Sequence, residues 1–220
     1  MSADLTHIDV WLFDLDNTLY PAESGFMGDV ERRMTEFVVK VTGLPRDEAF
    51  ALQKKYLAEH GLTLGGLMKH HGVAPEEFHA LFHDLSLDVL AHDQPLLDAL
   101  ERLPGKRYIF TNADGFHAER VLAHLKLDHL FDEVFHVHSF GFAPKPDPLG
   151  FTRMIEAHGL DPVATAFFED SERNLKPAHD LGMTTVLVGA HAPASAAPFV
   201  THRTEKLAPF LAGARLKETA

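Results

Sequence analysis

Asp14 and Asp16, with Leu15 between them and Asn17-Thr18 after them, stand directly behind the apolar run Val10-Trp-Leu-Phe13. Two carboxylates in one short loop repel each other unless a cation or hydrogen-bond donors compensate them. A divalent cation and a phosphate group do so naturally: hard oxygen ligands suit Mg²⁺, and a carboxylate attacks phosphorus as a nucleophile. An Asx-rich turn after a strand satisfies the same residues, so the pair alone leaves both readings open.

Three further clusters follow the same pattern of apolar run and polar end. Ile109-Phe110-Thr111-Asn112 offers a hydroxyl and a backbone N–H near a helix start, where donors and the helix dipole favour an anion, although Thr and Asn are also ordinary helix caps. Lys145 lies between Pro144 and Pro146, a cation in a stiff loop that suits the charge of a transferring phosphoryl group; a lone turn lysine is more often a solvated one. Glu169 and Asp170 end the run Phe167-Phe168, and one of the two acids is expected to face the pocket of Asp14 while the other is structural.

The elements that must position these groups are legible as two textures. Val10–Phe13, Arg107–Phe110, Ala164–Phe168 and Thr184–Val188 are short enough for buried strands. Between them, Phe116–Lys126, Leu149–His158 and Glu172–Leu181 read as helices, the last opened by an N-cap at Ser171 and stopped at Gly182. Alternation of this kind predicts an α/β class: a Rossmann-like parallel sheet whose ligands bind at the carboxyl ends of the strands, where the four clusters fall.

From Leu19 to His92 the strand texture disappears. Phe26, Val30, Met34, Phe37 and Val41 recur in steps of three and four, as an amphipathic helix requires, and Gly43, Pro45, Gly61, Gly72 and Pro75 punctuate the segment. The domain reading is a core of residues 1–18 and 93–220 carrying an inserted α-helical cap, residues 19–92. Phe78, Leu81, Phe82 and Leu85 read as the buried face of a cap helix, and Lys54-Lys55 as a solvated one. Three histidine pairs (His70-His71, His79 with His83, His136 with His138) lack the Glu or Cys of a recognisable ligand set and read as structural or solvated. Ala190–Pro198 reads as a surface loop.

Composition narrows the partners. Lys and Arg number 20 against 32 Asp and Glu, a formal charge of −12, which repels the phosphate backbone of a nucleic-acid polymer. The absence of cysteine removes disulfides, thiolate nucleophiles and Cys-ligated zinc. No run of about 18 apolar residues and no basic, apolar leader is present, so a cytoplasmic protein without membrane contact is expected.

The order Asp-x-Asp-x-Thr, Thr-Asn, Lys-Pro, Glu-Asp-Ser resembles the haloacid dehalogenase-like superfamily of phosphohydrolases from Val10 to Val188. Phe13–Pro21, Ile109–Ala113, His117-Ala118 with Val121-Leu122, Phe168–Ser171 with Asn174, and the stretch Tyr56–Leu67 are most similar to its pyrimidine 5′-nucleotidase branch. Glu169 departs from the Gly or Asp common at that position. The resemblance implies that Asp14 is the nucleophile, forming an aspartyl-phosphate, and that Asp16 is the general acid and base. It implies Mg²⁺ held by Asp14, the backbone carbonyl of Asp16, and Asp170, with Thr111, the Asn112 N–H and Lys145 on the phosphate. The activity implied is a Mg²⁺-dependent phosphomonoesterase for nucleoside monophosphates. A phosphatase for another small metabolite, such as a sugar phosphate or phosphoglycolate, and a phosphoaspartate receiver domain stay open. A haloacid dehalogenase is disfavoured, because its displacement at carbon needs no second acid for a leaving alkoxide.

Overall fold

The structure is a computed structural model that describes residues 2–218. Its chain forms two compact units, one built from the two ends, up to Glu23 and from Leu90, and the other from Ser24–Val89.

Among the described residues, six parallel strands make the core sheet: β1 Val10–Phe13, β2 Lys106–Phe110, β3 Glu133–Phe135, β4 Thr165–Glu169, β5 Thr184–Val188 and β6 His202–Thr204, in spatial order β3-β2-β1-β4-β5-β6. The chain builds outward from β1 through β2 to β3, then crosses to the other side of β1 for β4, β5 and β6. The order therefore reverses between β1 and β4, and it is beyond the carboxyl ends of such a pair that an α/β sheet leaves a crevice. Phe13 pairs with Ile109 on one side and Phe168 on the other, so Asp14, Thr111 and Glu169-Asp170 all emerge at one edge. Trp11, Leu12, Phe13, Phe110, Phe167 and Phe168 are buried, and the rings of Phe13 and Phe168 stack with centroids 4.7 Å apart. Burying one such ring contributes about 2–3 kcal/mol, which fixes the register that aligns the strand ends.

The strands β3 and β6 escape the sequence reading. Each has three residues and sits at a sheet edge, where short, partly exposed strands carry no apolar run to betray them.

The helices are α1 Phe26–Thr42, α2 Arg46–His60, α3 Thr63–His71 and α4 Pro75–His79 in the helical unit, and α5 Gln94–Glu101, α6 Gly115–Leu125, α7 Pro148–His158, α8 Glu172–Asp180 and α9 Leu207–Gly213 in the sheet unit. α1 buries Phe26, Val30, Thr35, Phe37 and Val38, whereas Met34 and Val41 of the expected stripe are only half-buried. Phe78 packs edge-on against Phe37 and Phe82. Gly66 of α3 lies so close to α2 that a Cβ there would meet Tyr56 Cγ at 2.1 Å, and only glycine permits this approach. Tyr56 also accounts for two histidines: its ring stacks on His70, and its hydroxyl meets His71 Nε2 at 2.8 Å. Lys54 pairs with Glu31 on the surface. No described helix is long and apolar enough to cross a membrane.

Candidate active site

The turn after β1 carries the first two acids. The N–H of Leu19 and, less closely, that of Thr18 donate to the Leu15 carbonyl, and Asn17 adopts φ 61°, the left-handed region that Asn tolerates better than most residues. The chain thereby reverses within one turn of Asp14. Asp14 is anchored through its N–H to the Phe168 carbonyl of β4 at 2.9 Å and is only 7% exposed.

Lys145 is not the solvated turn lysine that its type alone favours: it is 1% exposed. Its ammonium donates to Asp14 Oδ1 at 2.7 Å, to Glu169 Oε2 at 2.7 Å and to the Phe110 carbonyl at 2.6 Å, while lying over the rings of Phe110 and Phe167. An ammonium has three donors, and all three are engaged; what Lys145 offers a neighbouring phosphate is its charge. Burial opposes that charge, but Asp14 and Glu169 outweigh it and hold the lysine pKa above its usual value.

Glu169 accepts from Lys145 through one oxygen and from the Ser171 N–H through the other, at 3.0 Å. Ser171 does occupy the N-cap of α8, but its hydroxyl makes no capping bond; its backbone serves Glu169 instead. Asp14, Glu169 and Asp170 offer carboxylate oxygens within 4.8 Å of one another, the one such group of three metal-type donors among the described residues. None of the histidine pairs joins such a group. Burial, reinforced by neighbouring carboxylates, pushes Asp14 up to about 7, Glu169 to about 7 and Asp170 to about 6. Clustered, buried acids of this kind are stabilised by a divalent cation, and oxygen-only donors match Mg²⁺. Asp170 is set from behind by His191, whose Nε2 meets the Asp170 carbonyl at 2.8 Å. A cavity of about 570 Å³, lined in part by Asn17, Thr18, Asp170 and His191, opens this side of the cluster to solvent.

Thr111, buried behind β2, accepts from the Ala113 N–H at 3.0 Å, which leaves its hydroxyl proton free to donate. Asn112 uses its side chain on the backbone of Lys145, a role that motif reading did not anticipate. Asp16 points its Oδ1 at Tyr20 and His117, at 2.6 and 3.0 Å. Burial works against its charge, yet His117 and then Tyr20 keep its pKa below the usual carboxylate range. The structure thus gathers Asp14, Lys145 and Asp170 with Glu169, and sets Asp16 in a separate hydrogen-bonded group. His117 and Tyr20 were legible only as parts of matching motifs, with no role attached.

Residues 11–188 match the family model described as haloacid dehalogenase-like hydrolase. The chain belongs to the haloacid dehalogenase-like hydrolase family. This membership sets the receiver-domain alternative aside. Phosphate metabolism protein 8 of Saccharomyces cerevisiae is 31% identical over 194 residues, covering 81% of this chain and 60% of that protein. The chain thus spans less than two thirds of that relative's length. The GMP/IMP nucleotidase YrfG of Escherichia coli is 35% identical over 89 residues, 40% of each chain. Among solved structures, a haloacid dehalogenase-like phosphatase from Thermococcus onnurineus superposes with a TM-score of 0.63 at 20% identity, covering 98% of this chain and 100% of that one, a likeness of fold.

Proposed function

We propose that this hydrolase is a Mg²⁺-dependent phosphomonoesterase that works through an aspartyl-phosphate on Asp14 and acts on nucleoside monophosphates. The observation that carries the reading is the buried Asp14 carboxylate at the β1/β4 crossover, held 2.7 Å from the ammonium of Lys145 and beside a second acid pair. Phosphoryl transfer asks a protein mainly for alignment and charge stabilisation, and these residues supply both.

Asp14 attacks phosphorus and the P–O bond to the leaving group breaks; Asp16 gives its proton to the departing alkoxide. Water then attacks the acyl phosphate, Asp16 takes the water's proton, and Asp14 is released with inorganic phosphate. One group serves both steps because the second is the reverse of the first in proton traffic. A phosphate dianion beside Asp16 disfavours its charged form and raises its pKa toward the acid it must be in the first step. Asp14, Asp170 and the Asp16 carbonyl would hold Mg²⁺, which when bound neutralises the acids and the phosphate charge. Thr111 and the Asn112 N–H grip non-bridging oxygens, and Lys145 holds the Asp14 carboxylate in place.

On this reading the helical unit is the cap that discriminates among leaving groups. The resemblance favours pyrimidine nucleotides, whereas the relative YrfG is named for GMP and IMP, so base preference is part of the test. Turnover is measured over pyrimidine and purine monophosphates, sugar phosphates and phosphoglycolate, with and without Mg²⁺. Metal-dependent hydrolysis with the highest kcat/KM on a nucleoside monophosphate supports the proposal; no hydrolysis of any phosphomonoester by the Mg²⁺-loaded protein defeats it.

A further inference from the structure

The two donors on Asp16 converge on a single oxygen. Tyr20 Oη donates to Oδ1 at 2.6 Å and His117 Nε2 meets the same Oδ1 at 3.0 Å, so the ring carries its proton on Nε2 to complete the bond. A carboxylate oxygen has two in-plane lone pairs, and two donors fill them. None of the hydrogen bonds among the described residues engages Oδ2.

We infer that His117 and Tyr20 are positioning residues: by saturating Oδ1 they lock the Asp16 carboxylate in one rotation and leave Oδ2 as the oxygen that exchanges the proton. The inference rests on the proposed phosphatase reading and deepens it. In the first step the Oδ2–H bond breaks as the leaving oxygen gains the proton. In the second a water O–H bond breaks, Oδ2–H forms again, the water's electron pair binds phosphorus, and the bond to Asp14 breaks. A carboxylate free to flip about its Cβ–Cγ bond presents the correct oxygen only part of the time, and its proton-transfer geometry suffers accordingly.

The surrounding fold is built to hold this lock. Tyr20 lies one turn beyond Asp16, four residues on, so the reversing turn after β1 returns its hydroxyl to the acid. His117 is in the first turn of α6, whose N-cap Asp114 accepts the backbone N–H of His117 at 3.1 Å, and its side chain is buried. Both residues belong to the same unit as Asp16, so the lock is part of the sheet domain itself.

The test uses the full-length, Mg²⁺-loaded protein and the variants His117→Ala, His117→Gln and Tyr20→Phe, each checked for folding by circular dichroism. The substrates are an alkyl phosphate, whose leaving group needs the proton, and 4-nitrophenyl phosphate, whose leaving group does not. Expected for His117→Ala and Tyr20→Phe is a fall in kcat on the alkyl ester of at least about tenfold with KM within about twofold. On the aryl ester the first step survives while dephosphorylation slows, so a burst of nitrophenol approaching one equivalent appears. Gln at 117 keeps a donor and recovers part of kcat. Loss that is equal on both esters and without a burst, or wild-type kcat in both Tyr20→Phe and His117→Ala, overturns the inference; if His117→Ala does not fold, Tyr20→Phe and His117→Gln decide by the same readouts. Failure of the unaltered protein to hydrolyse either ester refutes the phosphatase reading instead, and is seen before any variant is compared.

Discussion

The side chain of Asn112 clasps the backbone of Lys145 on both sides of its Cα: the Lys145 N–H donates to Asn112 Oδ1 at 2.8 Å, and Asn112 Nδ2 donates to the Lys145 carbonyl at 3.0 Å. The loop after β2 and the loop before α7 are thereby tied at the residue whose ammonium holds Asp14. Replacing Asn112 by alanine strands a backbone donor and acceptor. We expect a loss of about 2 kcal/mol in urea unfolding and a fall in kcat larger than that of any surface control. A stability unchanged within about 0.5 kcal/mol, the scatter of surface substitutions, contradicts the clasp.

Lys145→Met removes the cation and leaves Asp14 and Glu169 as buried carboxylates facing each other. Breaking a buried pair from one side costs about 3–5 kcal/mol, so this variant is expected to unfold at markedly lower denaturant. The additional replacement Glu169→Gln removes one of the two stranded charges. Its expected effect is partial recovery of the urea midpoint without recovery of turnover, and a double variant no more stable than the single one argues against charge repulsion as the cause.

Asp14→Asn and Asp16→Asn are expected to fail in different ways. Asparagine at 14 is not a carboxylate nucleophile, so no phosphoenzyme forms from any substrate. Asparagine at 16 spares attack on an ester with a weakly basic leaving group and blocks the water step, so phosphoenzyme accumulates in stoichiometric amount. Acid-quenched mass spectrometry distinguishes a mass gain of one phosphoryl group from none.

Mg²⁺ is expected to stabilise the fold as well as support turnover, because Asp14, Glu169 and Asp170 repel one another at close range. Linkage gives about 2.7 kcal/mol when Mg²⁺ is at a hundred times its Kd, readable as a rise in Tm with concentration. Excess chelator returns Tm and abolishes hydrolysis; undiminished turnover in metal-stripped protein removes the metal from the mechanism.

Asp132 anchors the start of β2, its carboxylate accepting from Lys106 Nζ at 2.6 Å and from the Arg107 N–H at 2.9 Å. Partial burial opposes its charge, but these two bonds win and hold its pKa below the usual carboxylate range. With the folded value depressed, the contribution is complete above the unfolded pKa and is lost as the pH falls through the folded one. Because solvent screens this exposed pair, Asp132→Asn is expected to cost only about 0.5 kcal/mol at neutral pH and progressively less below about pH 4, followed by urea unfolding across that range.

How much of this was legible beforehand follows from what each feature depends on. The runs Val10–Phe13, Arg107–Phe110, Ala164–Phe168 and Thr184–Val188 declared themselves because a strand buried on both faces reads as a largely apolar run, and the first three ended in polar residues because the chain leaves the core there. Asp14, Asp16, Thr111, Lys145 and one of Glu169 and Asp170 were therefore candidates from spacing and chemistry, and the family resemblance singled out Asp170. Partnership was a different matter. That Lys145 is buried among Asp14, Glu169 and Phe110, that Asn112 spends its side chain on Lys145, and that His117 reaches Asp16 across 101 positions of chain depend on the strand order and register that bring distant loops together. Local sequence determines which residues stand at strand ends because burial acts on each run separately; only the packed sheet decides which of them meet, because hydrogen bonds and charges act through space.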